Sequence, residues 1–433
     1  MKNYIIMLWL LCGVLGLQGQ DTVKSYWLNK NLLSIGVKIN DKEDGHWVFY
    51  HNNGTKWMEG NYQQGMKIGK WSVWYDDGII AQEYLSPTGL FTSWFRNGVV
   101  EATGQLLNGK RDGSWSFNHS NGQLFKSATY QTDSVHGHVI EYHDNGTKRF
   151  EGDYDNGALN GYAYWWNSDG VLEMEGNSIH DLQEGVWKFY QSDGTLGSTG
   201  NFVKGLLEGE WKYYYETGKL WRKGSYSKGL RTGEWQAWYE TGKLQRKGSF
   251  LNDKETGHWV AWYENGFMQN EGDFTEGKMS GTWKGNYFDG KKKYETGYKN
   301  GLKNGKHQYW WENGKIHTKG SYKNDMKDGS WTDYTQRGDV LSAGKYQQDK
   351  KMGKWSFYNQ QKILIRVQSF SNDIPDGVVI EYYPNGNKQS EGAFSQGRKT
   401  GVWTSWNMGG KVIYSAEFRN GSLYKVIYEE KPR

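Results

Sequence analysis

The chain is poor in cysteine, proline and branched aliphatic side chains. It has one cysteine and 4 prolines in 433 residues. Cys12 lies inside a predicted export leader, so the mature chain would contain no thiol, which excludes a disulfide framework and cysteine chemistry. Leu11 stands where a small residue is normally required for lipid modification of Cys12, which argues against that modification. Leu, Ile and Val are too scarce for a conventional aliphatic core.

The chain also lacks a dominant charge. Lys and Arg number 53 against 48 Asp and Glu, which gives a formal net charge of +5. This balance argues against nucleic acid as the main partner, because nucleic-acid-binding domains concentrate basic side chains on one surface. A slight basic excess is compatible with anionic lipid or with an acidic protein, and it does not choose between them.

Residues 1–19 are predicted to form a signal peptide. Lys2 supplies the positive start, and the apolar segment from Ile5 to Leu17 is too short to cross a bilayer as a stable helix. Gly19 provides a small residue at a cleavage point. We therefore expect export, with a final location that is periplasmic, outer-membrane-associated or secreted.

The chain is rich instead in glycine and aromatic residues, arranged in a 24-residue repeat. There are 59 Gly, 24 Trp and 31 Tyr, an aromatic content that disordered chains lack. One anchor position recurs in sixteen copies, with a single step shortened to 20 residues. The anchors are Trp47, Trp71, Phe91, Trp115, Val139, Ala163, Trp187, Trp211, Trp235, Trp259, Trp283, His307, Trp331, Trp355, Val379 and Trp403.

Each copy, counted from its anchor as offset zero, contains two short strand-like segments and two glycine turns. An aromatic residue is common at offset three, and glycine occupies offset seven in fifteen copies, usually after Asn or Asp. Asn-Gly and Asp-Gly between aromatic segments predict a type I′ hairpin turn. Glycine at offset thirteen is followed by Tyr or Phe at fifteen, and glycines at eighteen and twenty-two predict a second turn. Two copies depart from this pattern: the shortened one near Phe91, and the one at 355–378, where Gln361 and Lys362 replace the usual turn.

The pattern predicts an all-β fold: an extended antiparallel β-meander of about sixteen hairpin repeats in a long, twisted, mostly single-layer sheet. Frequent glycine and the lack of a 3.6-residue apolar period disfavour helix. Offsets zero and three fall on opposite faces of a strand, so both faces carry aromatic rings. Glycine at offset thirteen would let a neighbouring ring lie flat against the backbone. A β-propeller is the alternative, disfavoured because no superperiod of two copies is present.

The chain is expected to contain four segments. These are the signal peptide at 1–19, a degenerate capping repeat at 20–45, the hairpin repeats at 46–421, and a C-terminal cap and tail at 422–433. The first repeat retains Tyr26 and Gly36 at the expected offsets. Terminal repeats are atypical in repeat proteins because one of their sides has no neighbour.

The recurring motif Gly-x-Trp-x-x-Tyr-x-x-Asn-Gly, followed by Gly-x-Tyr and Gly-x-x-x-Gly, resembles the MORN-repeat variant family. Many bacterial members of this family are labelled YwqK-type antitoxins. The resemblance implies an extended, non-enzymatic antiparallel sheet that serves as a scaffold, and for some members it implies phospholipid binding. The label implies an antitoxin-like protein-binding module, although an exported chain of sixteen copies does not suit neutralisation of a cytosolic toxin.

No catalytic or metal-binding constellation stands out from the repeat. His136, His138 and His143, with Glu141, form the only histidine cluster in the sequence. His138 occupies a variable position before an anchor, which favours a surface role over a metal site. The segment 41–45 lacks the alternating oxygen ligands of a calcium loop. We therefore expect no enzyme activity, no metal and no cofactor.

The tryptophans at offset three are the candidate ligand-binding residues. They alternate with Tyr between copies, and packing is the simpler role for them, as it is for the anchors. If their face is open, they form a row of amphipathic rings suited to sugars, lipid headgroups or a protein surface. They are Trp74, Trp94, Trp166, Trp238, Trp262, Trp310 and Trp406.

The sequence therefore predicts a non-enzymatic, exported repeat scaffold at the cell envelope. Its expected partner is a protein or a polymeric glycan and not nucleic acid. A peripheral, phospholipid-binding membrane protein is the alternative.

Overall fold

The computed structural model describes residues 21–431, so the predicted leader lies outside the described residues. Within that range the chain contains no helix and forms an antiparallel β-meander, in which consecutive strands pair and the sheet stays open. The predicted all-β meander is confirmed. Because the strands belong to one sheet and not to separate four-stranded blades, the β-propeller alternative is wrong.

The strands that begin before residue 200 are β1 Asp21–Tyr26, β2 Leu32–Ile39, β3 Lys42–Tyr50, β4 Lys56–Gln63, β5 Met66–Trp74, β6 Ile80–Ser86, β7 Gly89–Trp94, β8 Val100–Leu107, β9 Lys110–Asn118, β10 Leu124–Gln131, β11 Ser134–Tyr142, β12 Lys148–Asp155, β13 Ala158–Leu159, β14 Gly161–Trp166, β15 Leu172–Ile179, β16 Leu182–Tyr190 and β17 Leu196–Val203.

The remaining strands are β18 Leu206–Tyr214, β19 Leu220–Ser227, β20 Leu230–Trp238, β21 Leu244–Leu251, β22 Lys254–Trp262, β23 Met268–Thr275, β24 Lys278–Asn286, β25 Lys292–Lys299, β26 Leu302–Trp310, β27 Ile316–Lys323, β28 Met326–Lys327, β29 Gly329–Tyr334, β30 Val340–Gln347, β31 Lys350–Tyr358, β32 Leu364–Ser371, β33 Ile374–Tyr382, β34 Lys388–Ser395, β35 Arg398–Trp406, β36 Val412–Arg419 and β37 Ser422–Glu429.

The chain divides into two compact units. The first comprises the residues up to Leu196 together with Phe202–Gly205, and the second comprises Gly197–Asn201 and Leu206 onward. The same hairpin repeat builds both units, and the second unit supplies most of the examples below.

The first turn of each repeat is a five-residue hairpin loop. Between β18 and β19 the N–H of Tyr215 donates to the carbonyl of Lys219, and the N–H of Gly218 donates back to the carbonyl of Tyr215, both at 2.9 Å. Only the glycine has a positive φ, 76° at Gly218, which is the pattern of a type I turn followed by a glycine bulge. The predicted type I′ turn at this position is therefore wrong.

The Asn or Asp before that glycine has a different role from the one predicted. The side-chain oxygen of Asn53 accepts hydrogen bonds from the N–H of Thr55 at 3.0 Å and from its hydroxyl at 2.7 Å. Such a side chain replaces a backbone acceptor in the turn and needs no positive φ. In the copy without this glycine, Lys362 adopts a φ of 66° and keeps the same loop hydrogen bonds. The expectation that this copy lacks the turn is therefore wrong.

The type I′ turn lies at the other end of the repeat. Lys228 and Gly229 have φ values of 51° and 82° and link β19 directly to β20, where Ser227 pairs with Leu230. Positive φ at both central residues of a two-residue hairpin loop defines a type I′ turn. The glycine at offset twenty-two is not part of this turn. Gly233, with a φ of 64°, lies inside β20 beside a shift in strand register, and so marks a β-bulge.

The anchor tryptophans pack on one face, here called the tryptophan face, which carries the side chains at offsets zero, two and fifteen. Ten of the eleven anchor tryptophans are buried, with exposed fractions of 6% or less. The ring of Trp235 lies flat on Gly224, where a Cβ atom would fall 2.1 Å from Trp235 Cδ2. Its Nε1 donates to the carbonyl of Ser225 at 3.2 Å. The predicted role of the offset-thirteen glycine is confirmed.

The rings of successive copies form a continuous stack in the second unit. Trp235 makes edge-to-face contacts with Tyr226 and with Phe250, at ring-centre distances of 5.2 and 6.0 Å. The same alternation of offset zero and offset fifteen continues from Trp211 to Trp283. A cation at offset twenty covers the rings, as Arg231 does at 4.0 Å from the centre of Phe250. Aromatic edge-to-face pairs and these cations therefore replace the aliphatic core that the sequence lacks.

The opposite face, here called the polar face, carries the residue before the anchor and those at offsets one, three, twelve and fourteen. Ion pairs between neighbouring strands recur on it, including Lys70 with Glu83 at 2.8 Å and Lys247 with Glu234 at 3.0 Å. The two faces are therefore unequal: one contains the buried rings, and the other is charged with single rings at offset three.

Candidate functional site

The seven offset-three tryptophans all lie on the polar face, and all are half-buried. A lysine from the preceding hairpin stands over several of the rings, with Lys56 Nζ 4.9 Å from the centre of Trp74 and Lys148 Nζ 5.2 Å from that of Trp166. Trp310 lines a cavity of about 540 Å³. The structure places these residues in a row, one per copy, and does not gather them into one pocket.

The predicted histidine cluster is divided between two places: His143 Nε2 lies 2.9 Å from the carbonyl of Trp166 on the side of the hairpin loops, and His138 lies on the polar face. His138 Nδ1 lies 2.8 Å from Asp153 Oδ1, and its Nε2 lies 3.3 Å from Glu151 Oε1. Between residues 21 and 431 no group of three His, Cys, Asp or Glu side chains is arranged to hold a metal ion. His138 therefore bridges two carboxylates.

No helix between residues 21 and 431 is long and apolar enough to cross a bilayer.

The five-residue hairpin loops form one edge of the sheet, here called the hairpin-loop edge, and polar side chains link its successive copies. Asn265 Nδ2 donates to the carbonyl of Phe288 at 2.6 Å. The side chain at offset four does the same, since Tyr239 Oη donates to the carbonyl of Trp262 at 2.9 Å. Each bond joins residues 23 apart. This role was not predicted from the sequence, although offset four holds Tyr or His in many copies.

The repeat pattern breaks at His307, the only histidine anchor. Thr296 replaces the glycine that lies beneath the tryptophan anchors, and its hydroxyl is 2.8 Å from His307 Nδ1. Burial, with smaller contributions from Lys303 and Lys327, lowers the pKa of His307 to about 4 from its usual 6.5. The imidazole is therefore neutral at pH 7, as its place in the ring stack requires.

This shift predicts a loss of stability on acidification. The folded pKa is the lower one, so the stabilisation is complete above about pH 6.5 and is lost as the pH falls toward 4, where the unfolded chain already binds the proton. Allowing for the solvent that reaches the ring, we expect a loss of about 2 kcal/mol.

Urea unfolding at pH 7 and pH 4 measures this loss when wild type is compared with His307→Phe, which cannot titrate. The variant should lose less stability than wild type. An NMR titration of the His307 ring with a midpoint near 6.5 would contradict the assignment.

Two adjoining cavities lie beside this break, on the hairpin-loop edge. The first, of about 650 Å³, is lined by Tyr287, Lys293, Tyr309, Trp311, Glu312, Asn313, His317 and Gln336. The second, of about 420 Å³, shares Trp311, His317 and Gln336 and adds Asp333, Tyr334, Thr335, Arg337, Leu341 and Gln360. Trp311 and His317 line both cavities, and their ring centres are 3.8 Å apart.

This pair was not predicted from the sequence. Trp311 is the only tryptophan at offset four in the sixteen copies, and Thr335, one copy later, is the shortest side chain at that offset. These two residues at offset four, in consecutive copies, are the signal in the sequence that marks the site.

An open antiparallel sheet of repeated hairpins with ring-stacked anchors defines a β-hairpin repeat protein, a class whose contacts join only neighbouring copies. Seven segments match the MORN repeat variant model: residues 43–64, 111–132, 135–156, 207–228, 231–252, 303–324 and 375–396. These seven segments match MORN-variant repeats, and the resemblance inferred from the sequence is confirmed in them. No curated protein matches the chain.

Several solved structures align with the chain at low similarity. A crystal structure of TcdB2-TccC3 aligns with 92% of this chain at 10% identity and a TM-score of 0.15. A structure of the Photorhabdus luminescens Tc holotoxin pore aligns with 93% at 10% identity and a TM-score of 0.12. This chain spans 29% of the length of each of those chains. Scores at this level support no inference about function.

Proposed function

We propose that this protein is an exported, non-enzymatic repeat scaffold that binds a polymeric glycan at the cell envelope. The MORN-variant repeats support a scaffold role. The predicted leader supports export. The observation that carries the proposal is the row of half-buried tryptophans on the charged polar face, one ring per copy.

A glycan fits this row better than a protein partner does. Each ring offers a limited apolar surface surrounded by charged side chains, whereas protein interfaces favour a contiguous apolar centre. Trp238 and Trp262 belong to consecutive copies, two strand spacings or about 10 Å apart. A polymer of repeating sugars can place a ring face on each tryptophan and its hydroxyls against the neighbouring ion pairs.

Binding to a glycan array, followed by titration calorimetry with the best polymer, tests the proposal. We expect Trp238→Ala combined with Trp262→Ala to weaken binding at least tenfold. Trp221→Ala is the matched control, since Trp221 is a 38% exposed tryptophan outside the row, and it should bind as wild type does. Absence of any glycan binding, or equal losses in both variants, would overturn the proposal.

The remaining candidates give different results in parallel experiments. Capture of one defined envelope protein, dependent on the same tryptophans, would favour a protein-binding or antitoxin-like module. Flotation with anionic liposomes that fades as salt is added would favour the peripheral membrane alternative.

A further inference from the structure

The two cavities at the hairpin-loop edge lie where a series of rings at offset four ends. In the four copies before Trp311 a tyrosine at offset four reaches the next copy, as Tyr263 does when its Oη donates to the carbonyl of Asn286 at 2.9 Å. Trp311 keeps this link through Nε1, which donates to the carbonyl of Tyr334 at 3.3 Å. Thr335 is too short to continue the series, and its hydroxyl accepts from the N–H of Asp339 instead. The space beside Trp311 is therefore left open.

Both cavities are lined by aromatic rings and by charged side chains of both signs. The rings of Trp311 and His317 line both cavities. The first cavity holds Lys293 and Glu312, and the second holds Arg337 and Asp333, so each contains one cation and one carboxylate. Such a balance selects neither an anion nor a cation. It suits a neutral ligand with many hydroxyls and an apolar ring face.

His317 adds an independent observation. Its Nδ1 is buried and has no hydrogen-bond partner within the described residues. An unpartnered buried nitrogen is costly, and native structures contain few of them. His317 lines both cavities, and a rotation of its ring that exposes Nδ1 would let a ligand hydroxyl supply the missing hydrogen bond.

We propose that the Trp311–His317 pair separates two subsites for a neutral oligosaccharide, with one sugar unit in each cavity. This inference rests on the proposed glycan-binding function and gives it a second, more specific site. Stacking on Trp311 would position the oligosaccharide across the hairpin-loop edge. The side-chain amides of Gln336 and Gln360 line the cavities and supply hydrogen-bond partners for sugar hydroxyls.

The test uses the full chain and titration calorimetry with neutral mono-, di- and trisaccharides of glucose, N-acetylglucosamine and mannose. We expect Trp311→Ala to weaken the best trisaccharide at least tenfold. Thr335→Tyr restores the residue type that other copies carry and fills the second cavity. It should therefore fold normally and reduce trisaccharide affinity to that of a monosaccharide. Trp221→Ala should bind as wild type does.

The outcomes separate this inference from the proposed function. If Trp311→Ala and Thr335→Tyr bind the trisaccharide as wild type does, while the Trp238 and Trp262 variant loses polymer binding, the oligosaccharide site is overturned and the scaffold function stands. If wild type binds neither polymer nor oligosaccharide, both are overturned. A loss with Trp311→Ala but none with Thr335→Tyr would overturn the second subsite.

Discussion

Gly248→Ala should destabilise the sheet by about 3–5 kcal/mol, the range measured for removing a buried tryptophan. A Cβ atom at this position would fall 2.0 Å from Trp259 Cδ2. The ring cannot move aside cheaply, since it packs between Phe250 and Phe274 at 5.1 and 6.0 Å. Displacing it would also break the hydrogen bond from Trp259 Nε1 to the carbonyl of Ser249 at 3.2 Å.

Two other glycines provide controls for this substitution. Gly257 has a φ of 65° with nothing within 4 Å of its added Cβ, so Gly257→Ala should cost only the strain of the left-handed conformation, about 1–2 kcal/mol. At Gly409 an added Cβ meets only Asn407 Oδ1 at 3.4 Å, and Gly409→Ala should cost little.

Urea unfolding followed by tryptophan fluorescence ranks the three variants, and amide exchange in β21 and β22 localises the damage. A Gly248→Ala variant as stable as Gly257→Ala would mean that the ring does not depend on the glycine beneath it.

Trp235→Ala should cost a similar 3–5 kcal/mol, whereas Trp238→Ala, three residues later in the same strand, should cost about 1 kcal/mol or less. Trp235 is 6% exposed and contacts Tyr226 of the preceding copy and Phe250 of its own copy. Trp238 is half-buried on the polar face. Removing the first interrupts the ring stack, and removing the second only exposes the strand around it.

The comparison is made by urea unfolding of both variants under identical conditions. Because repeat proteins need not unfold in a single step, amide exchange of β19, β20 and β21 should accompany it. Equal losses would show that offset-three rings are also structural, and would remove the main support for glycan binding along the polar face.

The period of the sequence was sufficient to predict the architecture. Glycine at offset thirteen and tryptophan at offset zero recur together, and only close approach of ring and backbone explains that pairing. Turn types were harder to predict. Gln64, Lys228 and Glu276 all adopt left-handed φ values near 50°, although none is a residue that favours them. The two-residue link between strands imposes that conformation, and local preference does not reveal it.

The candidate site was harder still to predict from sequence. A period describes what copies share, but the cavities beside Trp311 lie where a series of rings at offset four ends, at Thr335. A short side chain leaves a cavity where a longer one would have bridged two neighbouring copies of the repeat. The sequence does not show which copies are bridged, because the hydrogen bonds across the hairpin-loop edge are visible only in the structure.

The hydrogen bonds between copies have a consequence for how the chain folds. The links along the hairpin-loop edge join residues only 23 apart, and the rings contact partners in adjacent hairpins. Chains dominated by such local contacts lose little entropy in closing loops and fold quickly for their length. Folding can begin at any group of adjacent hairpins and spread in both directions. A chain emerging through a membrane could therefore complete its sheet hairpin by hairpin, before its last residues have crossed.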